Sequence, residues 1–157
     1  MTAPRWWGME TKRLAWIFTD SPIYFLTLVA HERKWIFANT HVHAVFIAFA
    51  ERATDYGAAV GRYVLMPEHI HLFAGFAPDS IDLSKWVKSL KNTLSKSLKS
   101  FGYTAPHWQK GFFDHVIRSD ESYDQKWNYV RNNPVRAGLV DSPDDWKFQG
   151  EICDLYF

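Results

Sequence analysis

The sequence contains two histidines separated by one residue, His69 and His71, and this pair is its most specific indication of a chemical site. They open a strand-like run, and on a strand residues i and i+2 point to the same face. The two imidazoles would therefore stand side by side and could bind one metal ion, while Ile70 would point into the core. The alternative is a pair of polar residues on an exposed strand face.

The sequence contains its own comparison for this pattern. His41 and His43 have the same spacing, but their surroundings show helical periodicity. Residues i and i+2 of a helix diverge by about 200 degrees, so these two side chains cannot easily share an ion. We expect solvated or capping histidines there.

A phenol and an amide form the second candidate pair. If a helix runs through the segment around Tyr129, then Tyr129 and Asn133 are i and i+4 and lie on one face, which Gln125 shares one turn earlier. Taken alone, a tyrosine with an asparagine one turn later favours core packing and a helix cap. The pair gains meaning only in combination with other motifs.

The elements that must position these residues alternate between strand and helix patterns. Strands are predicted for 23–29, 60–66, 69–76 and 111–118, and helices for 38–56, about 82–100 and 121–132. Ser80 or Asp82 would cap the second helix, and Asn133 with Pro134 would close the third. This order predicts an α+β domain whose antiparallel sheet is covered by helices.

Length and composition limit the function classes. A chain of 157 residues with 47% hydrophobic residues fits one soluble domain. It has no uncharged apolar stretch of about 18 residues and no visible signal peptide, so we expect a cytoplasmic protein. The single cysteine, Cys153, is interpreted as a passenger thiol.

Positive charge is concentrated locally, although the net charge is only +1. A helical projection of the second predicted helix places apolar residues on one side and lysines on the other. Either this is a solvated helix face or it binds phosphates, which would make affinity for DNA salt dependent. The candidate nucleic-acid contacts are Lys85, Lys88, Lys96, Lys99, Lys110, Arg118, Arg131 and Arg136, with Trp6, Trp7 and Trp108 as candidates for base stacking.

Three sequence blocks in a fixed order carry a family resemblance. They are Met66–Leu72 (MPEHIHL), Trp108–Arg118 (WQKGFFDHVIR) and Tyr129–Val140 (YVRNNPVRAGLV). Together they resemble the single-tyrosine HUH transposases, and within them the REP-associated tyrosine transposases, which are IS200-like. The resemblance covers roughly Tyr24 to Trp146. We expect a single domain, 1–157, in which residues 1–20 are an N-terminal extension and residues 141–157 a C-terminal tail.

The resemblance implies a ferredoxin-like fold, a sheet of about four to five strands and a metal-dependent site. His69, His71 and Asn133 would hold a divalent ion, Mg²⁺ or Mn²⁺, with Gln125 as the alternative to Asn133, because the asparagine has a shorter reach than the glutamine of some relatives. Tyr129 would be the nucleophile that nicks and rejoins single-stranded DNA beside a hairpin, through a 5′-phosphotyrosine intermediate. The partner implied is a repetitive palindrome-like hairpin, so the resemblance also implies a protein associated with the bacterial nucleoid. It would act as a monomer or a homodimer.

Two other functions remain compatible with the residues. A protein that grips repeated palindromes without cutting them would keep the fold but would not need His69, His71, Tyr129 and Asn133 together. A metal-dependent DNA or RNA hydrolase would use the histidines but would tolerate phenylalanine at position 129.

Overall fold

The chain follows the order βαββαβ and then adds two helices and a short strand. The computed structural model describes residues 22–155. Its elements are β1 (Ile23–Val29), α1 (Thr40–Arg52), β2 (Ala58–Leu65), β3 (His69–Phe76), α2 (Leu83–Ser100), β4 (Phe113–Ile117), α3 (Asp120–Arg131), α4 (Asn133–Arg136) and β5 (Gln149–Glu151).

One five-stranded sheet organises the domain, in the order β4-β1-β3-β2-β5, and all its neighbouring strands are antiparallel. The βαββαβ order with β1 and β3 in the centre is the ferredoxin-like arrangement. The predicted α+β class and the predicted hairpin of β2 and β3 are therefore confirmed.

One face of the sheet, which we call the core face, carries Ile70 and Leu72 of β3. Helices α1 and α2 cover it: Phe46 of α1 lies 4.6 Å from the ring of Tyr63, and Trp86 of α2 lies 5.5 Å from the ring of Phe76. These apolar residues recur at helical spacing, so each helix buries a continuous stripe. Both helices thus lie on the same side of the sheet.

The opposite face, which we call the site face, carries His69, His71 and Phe73 of β3. Helix α3 covers part of it through Tyr123 and Trp127, whose rings lie 4.6 Å and 6.4 Å from the ring of Phe73. Alternation along β3 assigns the two histidines to this face. The third helix, not the lysine-bearing second one, is therefore the neighbour of the histidines.

Side-chain caps explain where the three long helices begin. The side chains of Asn39, Asp82 and Ser119 accept hydrogen bonds from backbone N–H groups three residues later. Helix α1 ends earlier than the predicted 38–56, because the chain tightens into a 3-10 turn at Ala53–Tyr56. Strand β4 is likewise shorter than the predicted 111–118.

Residues 141–155, assigned from the sequence to a tail, are packed into the domain. They add the three-residue strand β5 to β2 and bury Ile152, Cys153 and Leu155. Burial raises the pKa of the Cys153 thiol to about 12, so the thiol stays protonated and unreactive at neutral pH. Within the described part of the chain, no helix is both long and apolar enough to cross a bilayer.

Candidate functional site

The two histidines of β3 lie side by side, as the strand periodicity predicted. Their ring centroids are 4.5 Å apart and their planes meet at 74 degrees. Ile70 between them is fully buried on the core face. Both imidazoles therefore face the same side of the sheet at the end of β3 that follows the tight turn.

A hydrogen-bond partner fixes each imidazole through its Nδ1 atom. Glu68 Oε1 lies 2.6 Å from Nδ1 of His69, and Thr27 Oγ1 lies 2.9 Å from Nδ1 of His71. When Nδ1–H donates to these oxygens, the Nε2 atom of each ring keeps its lone pair, and no residue in the described range hydrogen-bonds to it. Partners of this kind set the tautomer and the ring orientation of metal-ligating histidines.

Burial keeps both imidazoles neutral. Desolvation lowers the pKa of His69, and it lowers the pKa of His71 to about 3. The positive charges of Lys126 and Arg136, and any proton on His69, lower the pKa of His71 further. For His69 the neighbouring carboxylate of Glu68 acts in the opposite direction but does not cancel the effect of burial. A neutral imidazole is the form that binds a metal ion.

Tyr129 enters the same space from helix α3. It lines an open cavity of about 460 Å³ together with His69, His71 and Asn133. Its side chain is 63% exposed, so an incoming substrate can reach the phenol. The structure thus brings together residues that lie far apart in the sequence.

Arg136 of α4 holds Tyr129 and Asn133 in place. Its guanidinium carbon lies 4.1 Å from the centre of the Tyr129 ring, and its Nη2 donates to the Tyr129 carbonyl at 2.8 Å. The same Nη2 donates to the side-chain oxygen of Asn133. That oxygen has a second lone pair, which leaves it able to accept another partner.

The two candidate amides are not equivalent. Helix α3 ends at Arg131, close to the predicted end, but Asn133 and Pro134 begin the short helix α4 where the sequence predicted only a helix end. The Asn133 side chain lines the cavity. Gln125 does not line the cavity, and its amide donates to Glu121 Oε1 at 3.2 Å. The geometry therefore favours Asn133 over Gln125 as the amide beside the histidines.

The donor set fits a divalent ion with open coordination positions. Among residues 22–155, no three His, Cys, Asp or Glu side chains are grouped so that they could hold a metal ion. The proposed donors among the described residues that line the cavity are two imidazole nitrogens and the Asn133 amide oxygen, which would leave positions for phosphate and water. The Glu68 carboxylate also lines the cavity, but its Oε1 is bonded to Nδ1 of His69. Such a mixed set admits Mg²⁺ or Mn²⁺, although imidazole also suits zinc and nickel.

Two cationic side chains of the described residues line the cavity, and only one of them was named from the sequence. Arg136 was predicted, whereas Lys126 was missed. The Lys126 ammonium lies 4.8 Å from the ring centre of Phe25 and 5.9 Å from that of Tyr129. Lys126 could have been predicted from its position three residues before Tyr129, because residues i and i+3 of a helix lie on one face.

Comparisons with known proteins identify the family. The family profile described as Transposase IS200 like matches residues 19–133 of this chain, which includes both histidines, Tyr129 and Asn133. The chain belongs to the IS200-like transposases. The predicted family is therefore confirmed.

Similar proteins carry names from the same family. The REP-associated tyrosine transposase of Escherichia coli K12 is 25% identical over 127 residues, which cover 80% of this chain and 73% of that protein. A Haemophilus influenzae protein assigned to the REP-associated tyrosine transposases is 23% identical over 148 residues, covering 88% of this chain and 84% of that protein.

Two solved structures share the fold. One is a REP-associated tyrosine transposase bound to a REP hairpin, with a TM-score of 0.70, 23% identity, and coverage of 84% of this chain and 78% of that one. The other is a protein of Deinococcus radiodurans assigned as a transposase, with a TM-score of 0.51, 20% identity, and coverage of 73% of this chain and 92% of that one.

In this IS200-like transposase, most of the basic residues named from the sequence lie outside the cavity. Helix α2 packs on the core face, so its exposed lysines are on the other side of the sheet from the histidines. Arg131 is paired with Asp144 at 2.5 Å, and Lys110 and Arg118 are exposed beyond the two ends of β4. The exposed lysines of α2 are Lys85, Lys88, Lys96 and Lys99.

The aromatic candidates for base stacking also differ from expectation. Trp108 stacks on Phe37 at 4.6 Å, and its indole N–H donates to Ser95 at 2.9 Å, so it is a packing residue. Trp6 and Trp7 lie outside the described residues. An exposed tryptophan that the sequence analysis did not name is Trp35, at 68%.

The comparison pair on α1 does not share a site, as predicted, but the expectation of solvated or capping histidines is wrong for His43, which is partly buried. His41 stacks on Phe101 at 3.8 Å, whereas His43 hydrogen-bonds to the hydroxyl of Tyr63 at 2.7 Å. The two rings have different partners, in keeping with the divergence of i and i+2 on a helix. Only the pair on β3 has the geometry of a shared site.

Proposed function

We propose that this transposase nicks and rejoins single-stranded DNA, with Tyr129 as the nucleophile. The observation that carries the proposal is the convergence of Tyr129 with His69 and His71 in one open cavity. A protein that only binds DNA has no need of an exposed phenol beside two neutral imidazoles.

His69, His71 and Asn133 are proposed to hold a divalent ion, Mg²⁺ or Mn²⁺. When bound, such an ion supplies a Lewis acid that polarises a phosphate oxygen and orients the strand. Glu68 and Thr27 engage the Nδ1 atoms of the two imidazoles, which leaves their Nε2 atoms available to the ion. Lys126 and Arg136 add positive charge beside the position of the scissile phosphate, where negative charge builds during phosphoryl transfer.

The proposed step exchanges one ester bond for another. The Tyr129 oxygen attacks phosphorus, the bond from phosphorus to the 3′ oxygen breaks, and the strand becomes joined to the protein through a 5′-phosphotyrosine. The phenol proton passes to water, which reaches this exposed side chain, and the departing 3′ oxygen takes up a proton. Attack by a 3′ hydroxyl in the reverse direction reseals DNA without ATP, because the phosphoester is conserved.

The proposed substrate is a hairpin with a flanking single strand. This proposal rests on the family and on a relative of the same fold that binds a REP hairpin. Lys85, Lys88, Lys96, Lys99, Lys110, Arg118 and Arg131 are proposed as phosphate contacts away from the cavity, with Arg136 inside it. Whether the active species is a monomer or a homodimer follows from the mass of the protein–DNA complex.

A labelled-oligonucleotide assay tests the proposal. The full chain is incubated with labelled single-stranded hairpins drawn from palindromic repeats beside its own gene, with Mg²⁺ or Mn²⁺, and analysed on a denaturing gel. We expect a metal-dependent covalent band that is lost in Tyr129→Phe. The matched control is Tyr56→Phe, because Tyr56 is equally exposed, at 64%, and lies outside the cavity.

Other outcomes favour other functions. Retarded DNA with neither cleavage nor adduct would favour the protein that grips palindromes without cutting. Cleavage that survives in Tyr129→Phe would favour a metal-dependent hydrolase and would contradict the nucleophile assignment.

A further inference from the structure

The edge strand β4 exposes an aromatic side chain next to the site. Phe113 opens β4, which within residues 22–155 pairs only with β1 and forms one edge of the sheet. Its side chain is 67% exposed. An exposed phenylalanine on a sheet face adds nothing to the core, so it is available to an external partner.

The strand register places Phe113 in the same row as His71. Thr27 of β1 is directly opposite His71 on one side and directly opposite Phe113 on the other. Directly opposed residues of an antiparallel sheet point to the same face. With neighbouring strands about 4.8 Å apart, Phe113 begins roughly 10 Å from His71 across the open site face.

The next row repeats the arrangement. Phe25 of β1 lies opposite Phe73 on one side and opposite the exposed His115 on the other. The Lys126 ammonium stands 4.8 Å from the centre of the Phe25 ring. Phe113 and His115 therefore flank a strip of sheet that runs from the cavity to the edge of the molecule.

The charges around this strip suit a polyanion. Lys126 lies on its inner side, and the exposed Lys110 precedes β4 at the Phe113 end. At the opposite end the exposed Arg118 is followed by the carboxylates of Asp120 and Glu121, so the positive charge is concentrated at the Phe113 end. The one carboxylate of β4, Asp114, is opposite Leu26 and so belongs to the core face, away from the strip. This distribution favours a phosphate backbone over an acidic or neutral peptide.

We propose that the face of β4 formed by Phe113 and His115 binds the single strand next to the scissile phosphate, with one base stacked on Phe113. This inference rests on the proposed function and extends it to a segment whose role the proposed chemistry leaves open. Stacking on an aromatic ring is tolerant of base identity, whereas His115 and Lys126 supply hydrogen bonds to phosphate. The occupant is the single strand, because a duplex offers no unstacked base.

Fluorescent base analogues test the proposal without requiring cleavage. The full chain carries Tyr129→Phe, and the probe is a DNA hairpin whose single-stranded flank contains 2-aminopurine, moved one position at a time. We expect strong quenching at one flank position, because a stacked 2-aminopurine loses its fluorescence. Phe113→Ala should abolish this quenching and weaken binding about tenfold, whereas Phe113→Trp should retain both.

The controls separate this inference from the proposed function. Tyr56→Ala removes another exposed aromatic side chain and should leave quenching unchanged, and a hairpin without the flank should bind Phe113→Ala as well as it binds the parent. Unchanged quenching and affinity in Phe113→Ala, or no binding of the flank by the parent, would overturn the inference. Either result leaves the Tyr129-dependent covalent band as an independent measure of the proposed function.

Discussion

The hydroxyl oxygen of Thr27 lies 2.9 Å from Nδ1 of His71, across one strand pair of the sheet. A threonine on the neighbouring strand, and not a residue of the histidine motif, thus orients one of the two imidazoles. The relationship is visible only once the register of β1 and β3 is known.

Removing this hydroxyl should weaken metal binding. Thr27→Val keeps the shape of the side chain but loses the acceptor, so His71 is free to change tautomer or to rotate. We expect the Kd for Mn²⁺ to rise about 10- to 100-fold, the usual cost of losing such a partner. Isothermal titration calorimetry of the protein without DNA measures it.

Thr93→Val is the matched control for that measurement. Thr93 lies on α2, which packs on the core face, so the same substitution there should leave the Kd for Mn²⁺ unchanged. Equal Mn²⁺ affinities for Thr27→Val and the parent would refute the orienting role of Thr27.

Arg136 should matter more for cleavage than for DNA affinity. It bonds both to the Tyr129 carbonyl and to the Asn133 amide oxygen, and it adds charge beside the scissile phosphate. We expect Arg136→Ala to slow formation of the covalent adduct on the order of 100-fold, the scale of losing one preorganised donor. Single-turnover gel kinetics at saturating protein measure this rate.

An exposed arginine elsewhere provides the comparison. Arg52 ends α1 and lies outside the cavity, so Arg52→Ala should leave the adduct rate within twofold. A similar loss in both variants would mean that the effect is general electrostatics, not the position of Arg136.

Gly61 allows helix α3 and the C-terminal segment to pack closely on β2. A Cβ at this position would lie 2.6 Å from Leu155 Cδ1 and 2.6 Å from the hydroxyl oxygen of Tyr123. Gly61→Ala should therefore lower the free energy of unfolding by about 1–3 kcal/mol. Urea denaturation measures the loss.

A second substitution shows whether crowding is the cause. Adding Leu155→Ala removes one of the two clashing groups, so the double variant should lose less stability than the sum of the two single variants. Strictly additive losses would contradict the steric explanation.

His43 should make the fold sensitive to mild acid. Desolvation by burial lowers the pKa of His43 below its ordinary value of 6.5. Below pH 6.5 the unfolded chain therefore binds a proton that the folded chain does not, and stability falls as the pH decreases. His43→Gln should flatten this dependence between pH 7 and 5, measured by urea denaturation at each pH.

The opposite slope would contradict the His43 prediction. In that case the parent would become more stable relative to His43→Gln as the pH falls. This result would require His43 to be protonated in the folded state. His41→Gln is the control, because His41 is exposed on the same helix.

Sequence periodicity predicted the local geometry of the site correctly. A period of two placed His69 and His71 on one face, and a period of 3.6 placed Tyr129 near Asn133. It could not bring these two pairs together, because the packing of α3 on the site face depends on distant contacts such as that of Phe73 with Tyr123. Only the family resemblance suggested that convergence.

The position of the α2 lysines relative to the site could not be predicted from a helical projection. Their exposure was predicted correctly, but the projection of a single helix does not say which face of the sheet it covers. Right-handed connections in a βαββαβ chain place α1 and α2 on the same face, here the one opposite the histidines. Strand β5 was not predicted because its three residues, Gln149–Glu151, are too few to show an alternation of apolar and polar residues.

The most direct test of the account is to locate the DNA on the protein. The covalent adduct is digested with nuclease and trypsin, and the peptides are analysed by mass spectrometry. Trypsin cuts after Lys126 and Arg131, which leaves a peptide, 127–131, with Tyr129 as its only tyrosine. We expect a 5′-phosphonucleotide on this peptide. The same mass on the peptide that contains Tyr123, or on any peptide without Tyr129, would contradict the assignment of Tyr129 as the nucleophile.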